Sequence, residues 1–286
     1  MFTLLKNIVL STFALSNREF INKHNSENHS YKVEENKYIN NTYINEFTPM
    51  NHIIYISKKN PIIVNFTDLH QDSVDWRDSF KVSSVKNQGS CGSCWAFSSV
   101  GAVESAWAIK NNNLYNLSEQ ELIDCSSKNH GCEGGSMDLA FQYIMNNSLC
   151  TNISYPYVGQ DNQQCNNTCK SLVKISNYSD VIPNQENMLM RAVQHQPVSV
   201  AIQANKRSFQ MYKSGIYSDP DCGFQLDHGV LLIGYGYDKD YDMDYWIIKN
   251  SWSKSWGENG YIKIQRNIDD NRGLCGIAMN PSVPIV

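Results

Sequence analysis

Apolar residues that follow Cys94 recur at the spacing of an amphipathic helix. They lie at i, i+4, i+7 and i+11 of one another, as Ala96, Val100, Val103 and Trp107. This period predicts a helix with one apolar face, and it leaves Ser99, Glu104 and Lys110 for the other faces. Cys94 then lies in the first turn, where unpaired backbone N–H groups and the positive end of the helix dipole stabilise an anion. We therefore expect a lowered pKa for the Cys94 thiol.

The apolar pattern after this helix changes from a helical to a strand-like period. A second helical stripe spans 137–144, and Ser118 with Glu121 has the form of a capping box. Residues 198–202 and 261–264 then alternate as half-buried strands do. The pattern predicts a helical first half and a strand-rich second half.

Two apolar runs near the C-terminus predict an antiparallel hairpin. Residues 230–233 follow His228, residues 245–248 precede Asn250, and the polar segment 238–242 lies between them. If the turn is centred on position 239, inside that polar segment, His228 and Asn250 face each other. An asparagine amide oxygen can accept the imidazole N–H and hold one histidine tautomer.

Cys94, His228 and Asn250 together have the composition of a nucleophilic site. A cysteine nucleophile needs a base that takes its proton and a third group that orients the base. Gln88, six residues before Cys94, adds an amide donor. His228 alone is more often an ordinary histidine at a strand end, and Asn250 alone a turn residue, so the joint placement carries the hypothesis.

The chain from about Val74 to Val286 resembles papain-like cysteine proteases, closest to the cathepsin L-like branch. The resemblance rests on several short segments: Val74-Asp75-Trp76-Arg77, the block from Gln88 to Phe97, Leu117-Ser118-Glu119-Gln120, Gly131-Cys132-Glu133-Gly134-Gly135, Tyr155-Pro156-Tyr157, Asp227-His228-Gly229, Asn250-Ser251-Trp252, Trp256-Gly257 and Cys275-Gly276. The stretch Cys91-Gly92-Ser93-Cys94-Trp95 has the form found around the family's catalytic cysteine.

The resemblance implies an α+β fold with two lobes and an active-site cleft between them. A helical lobe, about 80–183, would carry Cys94, and an antiparallel, β-barrel-like lobe, about 184–286, would carry His228. The protease domain would cover 73–286, after a candidate signal peptide at 1–16 and a shortened propeptide-like segment at 17–72.

The resemblance also implies a cysteine endopeptidase that hydrolyses peptide bonds through a thioester on Cys94. His228 would act as acid and base, and Asn250 would orient it. The Gln88 side chain and the Cys94 N–H would stabilise the oxyanion. Trp252 would shield the contact between His228 and Asn250, and Asp227 would tune the electrostatic field at the imidazole. This chemistry needs no metal and no cofactor.

Residues for substrate binding follow from the resemblance position by position. The pocket for the side chain two residues before the cleaved bond would be lined by Met137, Ala201, Leu226, Gly229 and Asn280. Further substrate-binding positions are Gly134, Gly135 and Trp252. Because the pocket walls are apolar and uncharged, we expect a preference for Leu, Val or Phe.

The cysteine count is odd, which leaves at least one free thiol. Of nine cysteines, eight remain once Cys94 is set aside as the nucleophile. The resemblance pairs Cys91 with Cys132, Cys125 with Cys165 and Cys222 with Cys275, and we pair Cys150 with Cys169 as a hypothesis. Four disulfides imply the secretory pathway, with a lysosome-like or extracellular destination. Eight N-glycosylation sequons agree: Asn28, Asn40, Asn65, Asn116, Asn146, Asn152, Asn166 and Asn177.

Composition excludes other classes of protein. A formal charge of −4 and a pI near 6.0 argue against a nucleic-acid binder. No apolar run approaches the roughly 20 residues of a membrane span. The segment 1–15 is short and apolar, which fits a signal peptide or a core-facing helix. The expected partners are polypeptide substrates and protein inhibitors of the cystatin type.

The segment 17–72 is polar and resembles, in patches, the distal half of a cathepsin L-like inhibitory propeptide. Asn17, Ile21 and Asn25 keep the helical spacing of that propeptide, but a second family pattern retains only Asn36, with Tyr38 similar. Both an inhibitory prosegment and an inert linker remain open.

Three other functions remain open for the domain. A peptide ligase would use the same acyl-enzyme, and a catalytically silent binding protein would use the same scaffold. A disulfide oxidoreductase would need a reversible bond between Cys91 and Cys94.

Overall fold

The structure, a computed structural model, describes residues 15–38, 66–161, 164–166, 169 and 172–286. Its helices are α1 (Asn17–Ser26), α2 (Cys94–Asn111), α3 (Glu119–Cys125), α4 (Met137–Asn147), α5 (Glu186–His195) and α6 (Arg207–Gln210). Its strands are β1 (Tyr31–Val33), β2 (Val74–Asp75), β3 (Asn177–Asp180), β4 (Val198–Ile202), β5 (Tyr212–Tyr217), β6 (His228–Asp238), β7 (Met243–Lys249), β8 (Tyr261–Gln265) and β9 (Ser282–Ile285). Residues 1–14 of the candidate signal peptide and residues 39–65 of the predicted propeptide lie outside these ranges.

Two hydrophobic cores form the two lobes, as predicted for an α+β fold. One core joins α2, α3 and α4, and the other fills the β-sheet. In the described part of the chain the strands run in the order β1-β5-β8-β7-β6-β4-β9-β3, and β2 pairs with β6. The sheet departs from a fully antiparallel arrangement at one place, because β5 and β8 are parallel.

Residues near both ends of the domain connect the two lobes. At the N-terminal boundary, β2 pairs with β6, and the Trp76 indole donates to the Val193 carbonyl at 2.7 Å. At the C-terminal boundary, β3 pairs with β9, while Val286 packs against the helical core. Both ends of the domain therefore tie the lobes together.

The predicted hairpin is present as β6 and β7, with a shifted register. Asp238 pairs with Met243, and a bulge between Leu232 and Gly234 shifts the register again. Leu231 consequently pairs with Lys249, so His228 and Asn250 are not directly opposite each other. The sequence interpretation was wrong on the register because the turn is centred between residues 240 and 241 and not on position 239. The bulge moves the pairing only one residue back towards the predicted register.

Helix α2 is buried on nearly all sides because it lies between the two lobes. Ser99 and Glu104, which the pattern placed off the apolar face, are buried as well. Ser99 bonds to the Trp95 carbonyl at 2.9 Å. The capping box predicted for α3 is only half formed, since Ser118 accepts from the Glu121 N–H while the Glu121 side chain accepts from the Cys150 N–H instead.

The N-terminal segment 15–38 docks on the sheet lobe. Strand β1 pairs with β5, with Tyr31 opposite Gly215. Tyr31 is buried against Tyr217, with ring centroids 4.9 Å apart. The Arg207 guanidinium donates to the Leu15 carbonyl at 2.8 Å and to Asn17 Oδ1 at 2.6 Å. The segment is thus held by both main-chain pairing and side-chain contacts.

None of the helices in the part of the chain described above combines the length and apolar character that crossing a membrane requires.

Candidate active site

Cys94 is the first residue of α2, and its sulfur is a free thiol. The other eight cysteines form four disulfides: Cys91 with Cys132, Cys125 with Cys165, Cys150 with Cys169 and Cys222 with Cys275. These are the pairs expected from the sequence, including the hypothesis for the last two cysteines. Because Cys91 is bonded to Cys132, the structure does not support a redox bond between Cys91 and Cys94.

Gly229 brings the start of β6 against the first turn of α2. A Cβ atom added to Gly229 would lie 3.2 Å from the Cys94 carbonyl oxygen and 3.3 Å from the Trp95 nitrogen. A larger residue would push the two elements apart, so the absence of a side chain permits the approach. The Gly229 backbone N–H lowers the pKa of the Cys94 thiol. His228 directly precedes Gly229, so the strand carries the imidazole to the nucleophile's end of the helix.

His228 and Asn250 are hydrogen-bonded despite the register shift. His228 Nε2 lies 2.8 Å from Asn250 Oδ1, and the Ser251 backbone N–H also donates to that oxygen at 2.7 Å. A backbone N–H can only donate, so it fixes the oxygen of the amide on this side. The imidazole Nε2 therefore donates its proton to Asn250. The Trp252 ring lies 4.8 Å from that of His228 and covers this pair.

Gln88 is held in a fixed orientation beside the first turn of α2. Its Nε2 donates to the Cys91 carbonyl at 2.9 Å, and its Oε1 accepts from the Ser251 hydroxyl at 2.6 Å. The Gln88 carbonyl accepts from the Tyr157 hydroxyl at 2.7 Å. A primary amide has two N–H donors, so the second one can serve a ligand. These roles of Ser251 and Tyr157 were not predicted, although both residues lie in segments that carry the family resemblance.

Burial sets the protonation of both reactive groups. It raises the pKa of Cys94 to about 11, against the lowering effect of the Gly229 N–H. It lowers the pKa of His228 to about 4, against the raising effect of the bond to Asn250. Both groups are neutral near pH 7 in this structure. The lowered thiol pKa expected from the helix end is therefore wrong here, because desolvation of the sulfur outweighs the helix dipole.

Asp227 is a buried carboxylate next to His228. Its Oδ1 accepts from the Ala204 backbone N–H at 2.6 Å. Burial raises the pKa of Asp227 to about 6, while its backbone hydrogen bonds lower it. The negative charge of Asp227 adds to the burial that raises the pKa of Cys94. The field of Asp227 therefore reaches the Cys94 thiol.

Several predicted substrate-binding residues lie in one apolar region beside Gly229. Met137, Ala201 and Leu226 are buried in the helical core, and Ala201 pairs with Gly229 across β4 and β6. Met279 packs against this core too, and its sulfur would lie 2.9 Å from a Cβ added to Gly276. Met279 was not predicted, although it directly precedes Asn280.

The remaining predicted substrate-binding positions lie elsewhere around the site. Asn280 is half-buried, and Gly134 follows the short 3-10 turn Gly131–Glu133. A Cβ added to Gly135 would lie 2.7 Å from the Trp95 ring, so this residue packs directly on α2.

One group of three potential metal ligands occurs among the described residues: Glu121, Cys150 and Cys169. Two of them form a disulfide and so lack the thiolate that binds metals. This group does not fit a metal.

The N-terminal segment reaches the edge of this site. The Tyr38 hydroxyl donates to the Trp252 carbonyl, and the two rings are stacked with centroids 5.7 Å apart. The Asn36 amide donates to the Gln210 carbonyl at 2.8 Å. The segment thus contacts the residue that covers His228.

Comparison with known proteins places these features in a family. The model of the papain family of cysteine proteases matches residues 70–285. A probable cysteine protease, RD21B of Arabidopsis thaliana, is 46% identical over 279 residues, which cover 94% of this chain and 59% of the relative. The thiol protease SEN102 of Hemerocallis sp. is 50% identical over 223 residues, covering 77% of this chain and 61% of the relative. The chain therefore spans about 60% of the length of these curated relatives.

Two solved structures give the same result. The proform of the ragweed pollen cysteine protease Amb a 11 has a TM-score of 0.87 and 37% identity, covering 94% of this chain and 86% of that one. Bromelain from Ananas comosus, in complex with the inhibitor E64, has a TM-score of 0.72 and 42% identity, covering 76% and 99%.

Proposed function

Because this chain belongs to the papain family of cysteine proteases, we propose that it is an endopeptidase that cleaves polypeptides through a thioester on Cys94. The observation that carries the proposal is the juxtaposition of a free thiol at the start of α2 with the hydrogen-bonded pair of His228 and Asn250. Gly229 links the two halves, because it follows His228 directly and contacts Cys94.

Acylation begins when the Cys94 proton passes to His228. The bond from His228 Nε2 to Asn250 leaves Nδ1 as the nitrogen that receives this proton. The thiolate then attacks the substrate carbonyl, and the second Gln88 N–H and the Cys94 N–H stabilise the oxyanion. The imidazolium gives its proton to the departing amine.

Deacylation reverses these roles. His228 takes a proton from water, and the resulting hydroxide attacks the thioester carbonyl. The C–S bond breaks, the acid product leaves, and Cys94 recovers its proton. No metal takes part in these steps.

We assign the described N-terminal segment to a proform. Tyr38 covers Trp252 and β1 extends the sheet, and in this state the reactive pair is buried and neutral. Release of the segment would admit water to the site, which favours the charged thiolate and imidazolium. This assignment favours an inhibitory prosegment over an inert linker.

Substrate choice follows from the apolar region beside Gly229. Met137, Ala201 and Leu226 offer no charge to a substrate side chain, so Leu, Val or Phe should be preferred two residues before the cleaved bond. Cystatin-like inhibitors would compete for the same cleft. Four disulfides support an oxidising compartment of the secretory pathway, lysosome-like or extracellular.

The test compares the full chain, activated at acid pH, with the variants Cys94→Ala and Ser99→Ala. A fluorogenic dipeptide substrate measures turnover, and an E-64-type epoxide measures thiol labelling by mass. Cys94→Ala should lose turnover by roughly 10⁴-fold or more and lose labelling. Ser99→Ala, a change on the same buried helix, should keep both.

Turnover near the parent rate in Cys94→Ala would contradict the proposal. Transfer of the acyl group to an added amine, in place of hydrolysis, would favour the ligase alternative.

A further inference from the structure

A cluster of buried charges lies directly behind Asn250. Lys86 Nζ is 2.7 Å from Glu104 Oε1 and 2.6 Å from Glu119 Oε1, and both carboxylates are almost fully buried. Burial works against the charge of Lys86, but the two carboxylates more than offset it, so the pKa of Lys86 is raised. Lys249, the neighbour of Asn250, donates to the Ser83 hydroxyl at 2.9 Å.

Two buried polar atoms in this region have no hydrogen-bond partner among the described residues. They are the amide nitrogen Nδ2 of Asn250 and the carboxylate oxygen Oε2 of Glu119. An unsatisfied buried donor or acceptor costs about 1–3 kcal/mol, and more when it is charged. Such pairs of atoms in native proteins commonly share an ordered water.

Asn250 and Glu119 both line one small cavity of about 20 Å³, together with Lys86, Glu104 and Lys249. A cavity needs roughly 10–15 Å³ of this kind of volume to hold one water molecule. The space therefore suits a single water and is too small for a larger ligand. Its walls offer both a donor and an acceptor.

We propose that one buried water in this cavity accepts from Asn250 Nδ2 and donates to Glu119 Oε2, which makes Glu119 a positioning residue for Asn250 and His228. This inference rests on the proposed function of those two residues. The chain of bonds runs from the Glu119 carboxylate through the water to the Asn250 amide, and from Asn250 Oδ1 to His228.

Burial raises the pKa of Glu119, and the charge of Lys86 opposes that rise. The negative charge of the ionised Glu119 acts in one direction on the imidazole. It polarises the water and the amide, so Oδ1 becomes a stronger acceptor and favours the protonated imidazole. The charged and titratable groups that face Glu119 are Lys86, Glu104 and Lys249, with Tyr157 nearby. Glu119→Gln removes the charge with little change of shape, and the glutamine oxygen can still accept from Lys86 Nζ.

A crystal structure of the full chain, at a resolution that shows ordered waters, tests the bridge directly. A water within about 3.2 Å of both Asn250 Nδ2 and Glu119 Oε2 is expected. Absence of density in the cavity, or a direct protein partner for Nδ2, would overturn the inference. This measurement does not depend on activity, so it separates failure of the bridge from failure of the proposed function.

Kinetics then test positioning through a double-mutant cycle. Glu119→Gln should lower kcat/KM about tenfold, the loss expected for one hydrogen bond to a charged group. In an Asn250→Ala background the same change should cost less than about twofold, since the relay is already broken. An equal loss in both backgrounds would show a merely structural role and defeat the proposal.

The pH profile supplies a second readout. Glu119→Gln should move the alkaline limb of kcat/KM to lower pH, because the imidazolium loses support, and Glu119→Asp should restore it. Glu121→Gln is the matched control. Glu121 lies on the same helix, is buried and bonds to the Cys150 N–H at 2.7 Å, but does not line the cavity. An unmoved limb in Glu119→Gln, or an equal shift in Glu121→Gln, would count against the relay.

Discussion

Two buried histidines differ in how their surroundings respond to protonation. One is His228 in the proposed active-site groove, and the other is His24 in the docked N-terminal segment. His228 is bonded to the neutral Asn250 amide, whose oxygen still accepts once the ring is charged. His24 in α1 bonds to the Tyr31 carbonyl at 3.2 Å, and its ring stacks on that of His29 with centroids 4.1 Å apart.

Burial lowers the pKa of both His228 and His24, but their neighbours differ. His228 directly precedes Gly229, which packs against Cys94, and the thiol of Cys94 can become an anion when the ring gains a proton. His24 has a second imidazole and Lys32 nearby, both of which oppose its charge. In the proposed mechanism His228 can therefore accept a proton. Protonation of His24, in contrast, weakens the docking of the N-terminal segment.

The largest effect that sharpens this comparison is expected from Tyr31→Ala. Tyr31 is buried against Tyr217, and loss of a buried aromatic side chain costs about 3–5 kcal/mol. We expect the N-terminal segment to undock, with faster hydrogen exchange over 17–33. Lys32→Ala on the same strand removes an exposed side chain and should leave exchange unchanged. Unchanged protection in Tyr31→Ala would show that docking does not depend on this contact.

Gln88→Ala should lower turnover and leave docking of the N-terminal segment unchanged. Removal of one oxyanion donor lowers kcat by about 10²–10³-fold. Gln194→Ala is the matched control, because Gln194 is also a buried amide but bonds to the Tyr235 hydroxyl at 2.8 Å, in the sheet lobe. Turnover per folded molecule should be normal in the control. Turnover in Gln88→Ala within a few-fold of the parent would remove Gln88 from the oxyanion site.

The smallest effect is the pH dependence of docking. Because the docked pKa of His24 is lowered, the undocked segment binds more protons, so docking weakens as pH falls. Docking should be complete above the ordinary histidine pKa of about 6.5 and decline below it, towards the lowered docked value.

His24→Phe keeps an aromatic ring and should flatten this dependence, measured as proteolysis of the segment against pH. Glu27, His29, Lys32 and Asp219 also face this site and remain in the variant. His130→Phe, an exposed change on the helical lobe, should keep the full slope. Retention of the slope in His24→Phe would assign the acid response to another group.

The sequence predicted the individual elements better than it predicted how they pack against one another. Helix α2, the hairpin and the disulfide pairs all followed from periodicity, cysteine parity or family resemblance. The hairpin register did not, since the polar segment 238–242 allows several turn centres and the turn is centred between residues 240 and 241. His228 still reaches Asn250 because the two side chains meet diagonally across the strands.

The burial of individual side chains could not be predicted from the local sequence pattern. Glu104 occupies a polar position of an amphipathic helix, yet packing of the second lobe encloses it. Burial also reverses the expected shift in the pKa of Cys94, because a helix terminus is a local feature while desolvation depends on everything that packs around the thiol. The cavity behind Asn250 has the same origin.

The pairing of β1 with β5 has a consequence for self-association. β5 has β8 as its other neighbour, so departure of β1 would turn β5 into an edge strand with open main-chain groups. Such edges template contacts between copies of a protein. We expect the chain to scatter more light at high concentration once the docked segment has been removed by proteolysis, since the docked strand protects this edge from aggregation.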